Sequence, residues 1–293
     1  MTPIDRAGAV RSGRASEAVR IRGSATLLFA RRGTRTVLLH SRLAAPMAIV
    51  RPFPLPDGRL VVQLVTLGPG LCGGDTIAVD AIAEEGAEVL LTTTAATRVM
   101  TMNPGCRAEQ HIRLRAGPGA SLEYYPAVTI PFPGSELLQT LAIDAAPTAR
   151  IGVVETWALG RAARGEYLRF RSLSSRTSLA IDGSVVYADA LQLEPALDDV
   201  ANAGVLDGRR YLAAGFFYGV GPVADAQLTA EAGPAGSGPP VVEVAFAESR
   251  PGLAYLRAMA DDAPALDAAV QGSLERVARA WERPVARLDR FRC

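Results

Sequence analysis

Residues 68–73, Gly-Pro-Gly-Leu-Cys-Gly, follow the alternating apolar run 60–67 with the spacing G-x-G-x-x-G. Such a turn holds a dinucleotide when a helix starts inside it, because the helix N-terminal N–H groups and dipole then face the pyrophosphate. Here Gly74-Asp75 leads into Thr-Ile-Ala-Val-Asp-Ala-Ile, which alternates with period two as a strand does. The turn therefore reads as a backbone device. Gly68, Gly70, Gly73 and Gly74 supply positive φ angles or close packing, and Asp75 either caps the turn or lines a polar surface. Cys72 is a small hydrophobe or a soft metal contact.

Three further acids have settings that matter. Glu166 closes a second glycine-bounded segment, Gly160-Arg161-Ala-Ala-Arg164-Gly165-Glu166, and has an arginine available for an ion pair. Glu123 and Glu155 lie in strand-like runs that also carry Tyr124, Tyr125 and Trp157. An acid turned into a β layer must be paired, hydrated or metal-facing, since an isolated buried charge is very costly. Histidine occurs only at His40 and His111, at a strand end and in mid-strand, where solvent-facing or hydrogen-bonded roles fit.

Composition removes several function classes. All 31 basic residues are arginine, so Schiff-base chemistry, pyridoxal phosphate and the P-loop lysine are excluded. The net charge of +1 gives no reason to expect nucleic acid as partner, and no apolar run is long enough to span a membrane. Cys72, Cys106 and Cys293 are odd in number and lack C-x-x-C spacing, which suits a reducing cytoplasm and excludes a thiolate cage. There is no G-x-S-x-G motif and no recognisable carboxylate pair. An enzyme of unrecognised type, for instance a hydrolase, is the alternative to a non-enzymatic role.

The elements that must position these residues are mostly strands. Runs at 24–30, 35–41, 60–67, 76–83, 87–94, 108–115, 137–144, 149–159 and 184–193 alternate or are β-rich, with Gly, Pro and Asp between them. EGAEVLL (85–91), PGASLEY (118–124) and PTARIGV (147–153) repeat a turn, an alanine and a strand at offsets of 33 and 29 residues. That echo fits successive turns of a β-solenoid, and equally chance hairpin chemistry. One helix is expected near the C-terminus, where Leu266, Val270, Leu274, Val277 and Trp281 share a stripe behind an Asp262 cap. A second, weaker helix is expected at about 206–215, and GPAGSGPP (233–240) reads as a loop between strands. The aromatics of 215–218, Gly-Phe-Phe-Tyr, suit a core or an interface patch. The fold class is thus mainly β, stacked or solenoid-like, with one or two helices near the C-terminus. Residues 1–22 are expected to be a disordered tail and 23–293 a single β-rich domain.

At these residues the chain resembles a known family. The segment LGPGLCGGD, then GAEVLLTTTAATRVM, GASLEYYPAVTIPFPGSELLQTLAID, GRAARGE, DGSVVYADALQL and GLAYLRAMADDAPALDAAVQGSL are similar, in that order, to the urease accessory protein family UreD, also called UreH. The resemblance implies a stacked β fold and a non-enzymatic role in urease maturation. It implies binding to apo-urease and a UreF-like protein, and through the latter to a UreG-like GTPase. It also implies transient passage of nickel with no tightly bound cofactor and no fixed metal site. Carboxylates, carbonyls and water suit an ion in transit better than a closed cage, so Asp75, Glu123, Glu155, Glu166 and Cys72 are the transit candidates. Arg98-Val-Met-Thr-Met departs from the family's basic-aromatic step, and Val-Thr-Ile-Pro-Phe-Pro-Gly holds prolines where an apolar-acidic pair is usual.

Overall fold

The computed structural model describes residues 20–197, 199–202, 204–221 and 242–288. Four strands come first: β1 (Arg22–Arg32), β2 (Arg35–Ala44), β3 (Met47–Ile49) and β4 (Phe53–Pro54). Then follow β5 (Leu60–Thr66), β6 (Thr76–Ala83), β7 (Glu88–Thr93), β8 (Thr97–Val99) and β9 (Ala108–Ala116). Next are β10 (Ser121–Tyr125), β11 (Thr129–Pro131), β12 (Glu136–Ala145), β13 (Arg150–Ala158) and β14 (Ser172–Ile181). Last come β15 (Ser184–Leu193), β16 (Tyr211–Tyr218), β17 (Val242–Arg250), β18 (Leu253–Ala260) and the helix α1 (Ala263–Ala280).

The long strands from β5 to β14 alternate between two stacked sheets. The first sheet runs β15-β14-β12-β9-β6-β1-β2 and the second β17-β18-β16-β13-β10-β7-β5-β3. Successive coils lie parallel and in register. Val79 pairs with Ile112, and Ile112 with Leu141; in the second sheet Leu91 pairs with Tyr124, and Tyr124 with Val153. These steps have the offsets of 33 and 29 residues seen in the sequence echo, which is therefore the solenoid's own period. Antiparallel strands close both flanks: β2 beside β1, β15 beside β14, and β16 beside β13.

Alternation decides what each face buries. Leu27, Val79, Ile112, Leu141, Leu122 and Val153 meet in the core between the sheets. The reverse face of the second sheet, with Val61, Leu90, Val154 and Phe217, packs against Leu266, Val270, Leu274 and Val277 of α1 and against Trp281 at its C-cap. Asp262 caps that helix by accepting from Ala265 N at 2.8 Å. The cap is worth about 1 kcal/mol, whereas five buried side chains contribute about 2 kcal/mol each. Burial on the sheet, not the cap, holds the helix there. Both phenylalanines of 215–218 are buried: Phe216 stacks on Tyr187 between the sheets, and Phe217 meets Trp281 under the helix.

The helix expected at 206–215 is not formed; residues 211–218 are β16, a strand hydrogen-bonded on both sides. Leu212, Ala213, Phe216 and Phe217 are all buried, on two faces, so the run carries no period-two signal and imitates a helix segment. One α-helix is present among the described residues. The loop expected at 233–240 lies outside the described residues, as do 1–19 of the expected tail. At the far end of that tail, Ile21 N donates to Asp75 and β1 opens at Arg22.

A buried ionic cluster fastens the helix to the second sheet. Arg59 (1% exposed) donates to Glu123 Oε1 at 2.9 Å, to Asp57 Oδ2 at 2.9 Å and to Pro284 O at 2.8 Å. Arg283 places Nη2 at 3.2 Å from Glu123, donates to Ser121 Oγ at 2.8 Å, and lies over the Trp281 ring. Removing one partner of such a cluster strands a charge away from water. Arg59→Ala is expected to lower stability by about 3–5 kcal/mol in urea unfolding. The exposed control Arg35→Ala should change it by less than about 0.5 kcal/mol.

Candidate functional site

The glycine turn joins β5 to β6 with no helix. Gly68, Gly70 and Gly74 have positive φ, and a Cβ on Gly70 would stand 2.4 Å from Arg98 O. Gly73 instead permits close packing: its Cβ would stand 2.8 Å from Cys106 Cβ and 3.0 Å from Met102 Cβ. Asp75 is buried beneath the turn, where Oδ1 accepts from Ile21 N at 3.1 Å and Oδ2 from Cys72 N at 2.8 Å. It is a capping group. The Cys72 side chain is exposed, and partial burial together with the Asp75 charge raises its thiol pKa. That disfavours the thiolate a metal would need.

Two other candidate acids are neutralised by arginine. Glu123 faces α1 and is held by Arg59 and Arg283. Glu166 forms a fork with Arg161, which donates from Nε to Oε2 and from Nη2 to Oε1 at 2.7 Å. Those hydrogen bonds hold the Glu166 carboxyl below its ordinary range. Gly165, in the left-handed region, ends the short turn that brings the fork together. His40 is exposed, while His111 Nδ1 lies 2.9 Å from Thr140 Oγ1 and Nε2 lies 3.3 Å from Glu109.

Glu155 differs from these. It projects from β13 into the space between the sheets and is buried. Its oxygens accept from Gln139 Nε2 and, at 3.2 Å, from Thr177 Oγ1; the Gln139 amide also reaches Ser175 Oγ at 3.3 Å. No arginine contacts it among the described residues, and its donors are neutral. Burial pushes its carboxyl up to about 7, the Asp189 charge adds to this, and the bonds from Thr177 and Gln139 offset part of it. The Tyr124 and Tyr187 phenols, both raised chiefly by burial and in part by the Glu155 charge, face it as neutral groups.

The polar line continues outward. Asp189 pairs in register with Thr177 and meets Arg257 Nη2 at 2.5 Å. Asp189 and Arg257 form part of the wall of a cavity of about 700 Å³ between β15 and the β16–β18 strands, lined otherwise by residues such as Leu193, Leu212, Val244 and Met259. Among the described residues no group of three or more His, Cys, Asp and Glu side chains gathers where it could hold a metal ion. The arrangement offers one buried exchangeable carboxylate, a second carboxylate in an ion pair, and hydroxyl and amide oxygens between sheets.

The sequence reading missed Gln139, Ser175, Thr177 and Asp189, although a signal was present. Gln139 occupies the inward phase of Leu137, Leu141 and Ile143, and Ser175 and Thr177 that of Leu173 and Leu179. Polar residues in an apolar phase on neighbouring strands mark a shared interior polar site. Arg59 and Arg283 carried no comparable mark, because they lie beside strand and helix ends.

The proton on Glu155 gives a pH signature. The ordinary carboxyl value is 4.5 and the folded one about 7, so the folded state binds the extra proton between them. The associated stability is fully present below pH 4.5 and is lost as the pH rises through 7. Relative to Glu155→Gln, wild-type stability should therefore fall by about 3 kcal/mol between pH 4 and pH 8. Urea unfolding of both proteins at three pH values measures this.

Comparison with known proteins follows the same order of segments. Residues 22–292 match the model of a family described as UreD urease accessory protein. The chain is 36% identical over 257 residues to urease accessory protein UreD of Deinococcus radiodurans, covering 87% of this chain and 89% of that one. It is 40% identical over 186 residues to UreD 1 of Synechococcus sp. strain JA-3-3Ab, covering 63% and 69% of the two chains. With UreD 2 of Methylorubrum populi it shares 35% identity over 216 residues, covering 73% and 71%.

Proposed function

The chain belongs to the UreD family of urease accessory proteins, and from that premise we propose that it is a cytoplasmic scaffold and nickel conduit. In this reading it binds apo-urease and a UreF-like protein, and through the latter a UreG-like GTPase, while nickel crosses it as cargo on the way to the urease active site. The protein is an accessory factor and not an enzyme, so the hydrolase alternative is dropped.

The observation that carries the conduit reading is the state of Glu155. An ion in transit needs ligands that bind and then release it, and oxygen donors suit that better than a closed nitrogen or sulfur cage. Metal binding to a carboxyl releases its proton, and metal departure takes one back. A carboxyl with its pKa near 7 makes both directions accessible at neutral pH. The arginine-paired Glu123 and Glu166 would have to break an ion pair first, and Asp75 would have to leave its turn. Ser175 and Thr177 hydroxyl oxygens lie around Glu155 as weak donors, and Asp189 is the next carboxylate toward the cavity, where it would have to open its pair with Arg257 to take the ion. Among the described residues no helix is long and apolar enough to cross a membrane.

A reconstituted activation assay tests both parts. Tagged protein is mixed with apo-urease, the UreF- and UreG-like proteins, GTP and nickel, and partner capture and urease activity are read separately. Wild type should capture the partners and activate urease. Glu155→Gln and Asp189→Asn should capture them equally well yet lower activation by about tenfold or more, the scale on which lost metal-handling groups act. Full activation by both variants removes the conduit, and absence of capture by wild type removes the scaffold.

A further inference from the structure

The first sheet ends at β2, which pairs with β1 on one side and with no strand on the other among the described residues. The 55–59 turn covers only the start of that free side, where Thr36 N donates to Gly58 O at 3.4 Å. From Leu39 to Ala45 every residue is exposed. Free strand edges in folded proteins are usually short or covered, because their N–H and C=O groups accept another strand. β2 is ten residues long, and its uncovered part carries Leu39, 42% exposed at the bulge where the register shifts, and Leu43, 40% exposed. The turn at Ala45-Pro46 leads from it into β3, the edge of the second sheet. Two more exposed apolar side chains stand on this flank. Leu67 N donates to Pro46 O at 2.9 Å, and Val50, just past β3, donates its N–H to Gln63 O at 3.0 Å.

The pleat sorts the side chains of the edge. Arg42 pairs in register with Thr26 and His40 with Leu28, on the solvent face of the sheet; Leu43 pairs with Ala25 and Ser41 with Leu27, on the core side. Between Arg35 and Thr66 the chain holds four arginines and a single acid, Asp57, which Arg59 binds at 2.9 Å. The other three, Arg35, Arg42 and Arg51, are exposed and have no ion pair among the described residues. Acids of the adjoining strands lie elsewhere. Glu88 takes Arg31 at 2.7 Å, Asp80 stands beyond Thr26 and beside Arg113 in the ladder, and Glu84 and Glu85 follow β6 on the opposite side of β1. Two strand spacings, about 10 Å, separate Asp80 from Arg42.

From this edge we infer that β2 receives an extended segment of a partner protein whose residues alternate between apolar and acidic, and adds it to the first sheet as a further strand. Backbone hydrogen bonds supply the affinity of such an addition, and alternate side chains supply its specificity. The acidic face of the segment meets Arg42, and the apolar face meets Leu43. A slip of one residue would set carboxylates against the leucine, so the alternation also fixes the register. A second copy of this chain fits worse, since Arg35, His40 and Arg42 would face the same residues and like charges directly opposite destabilise a strand pair. Charge on an edge repels strands of its own sign and selects those of the other. The inference does not depend on the nickel conduit.

The test uses the full chain and a fluorescein-labelled ten-residue peptide of alternating valine and glutamate, followed by anisotropy. Wild type is expected to bind it at least about tenfold more tightly than a peptide of five valines followed by five glutamates, or one alternating valine and lysine. Methylating every backbone nitrogen of the peptide keeps its charge and removes its donors, and should abolish binding. Arg42→Glu and Leu43→Ser should each weaken it by about tenfold with an unchanged thermal midpoint, whereas Val185→Ser and Arg115→Glu, exposed on β15 and β9, should stay within about twofold of wild type. Failure of wild type to bind the alternating peptide overturns the inference, as does undiminished binding of the methylated one, which would reveal adhesion by charge alone. Tighter binding of a ten-residue oligothymidylate, lost in Arg42→Glu, would reassign the edge to nucleic acid. A dimer in sedimentation that Arg42→Glu and Leu43→Ser dissolve would reassign it to a second copy.

Discussion

In-register stacking is the constraint on which the rest of this molecule depends. Each coil sends one strand to each sheet, and the next coil lays its strands parallel on top at the same height. A residue at an inward position therefore has inward neighbours from the coils on both sides. A row such as Val79, Ile112 and Leu141 gains from this, because every member is covered by the others. A polar residue in such a row cannot turn to water without shifting the whole strand. It must find partners in the adjacent coil or across the sheets.

The acids of the chain are sorted by this rule. Glu123 faces the helix, where charged side chains arriving from the Arg59 turn and from the chain beyond α1 can reach it, and it is neutralised there. Glu155 faces the other way, into a space filled by side chains of packed strands. What reaches it are the short polar groups of β12 and β14, which are uncharged. Its proton affinity follows from that setting: the interior supplies hydrogen bonds without supplying a positive charge, so the neutral form is favoured until the solution is nearly neutral.

Much of this organisation was legible in the sequence. Strands β6 and β15 appear there with the bounds they have in the fold, and the stripe from Leu266 to Trp281 marks both the helix and its buried face. The period of the solenoid was visible as the 85–91, 118–124 and 147–153 echo, though only pairing partners could separate stacked coils from a set of hairpins. The sequence misled at 206–215 because a strand covered on both faces loses the alternation that identifies strands. The site was less legible than the fold. Glu155 could be named as an acid needing a partner, but its separation from Glu123 depends on which face each occupies, and their surroundings come from coils about thirty residues away.

The junction of Arg59 with Pro284 has a consequence for how the protein is made. Those residues are 225 positions apart, and the bond between them closes the layer formed by the helix on the second sheet. During synthesis on the ribosome the coils emerge in order and can stack as they appear, each templated by the one before. Until Arg283 and Pro284 leave the exit tunnel, however, the reverse face of β5, β7 and β10 has no cover, and Glu123 lacks its second cation. The nascent chain thus carries an apolar sheet face and an incompletely compensated carboxylate until that point. Emergence of residues 263–284 completes both, which makes the interval before it, rather than the stacking of coils, the stage at which holding chaperones would have the most to cover.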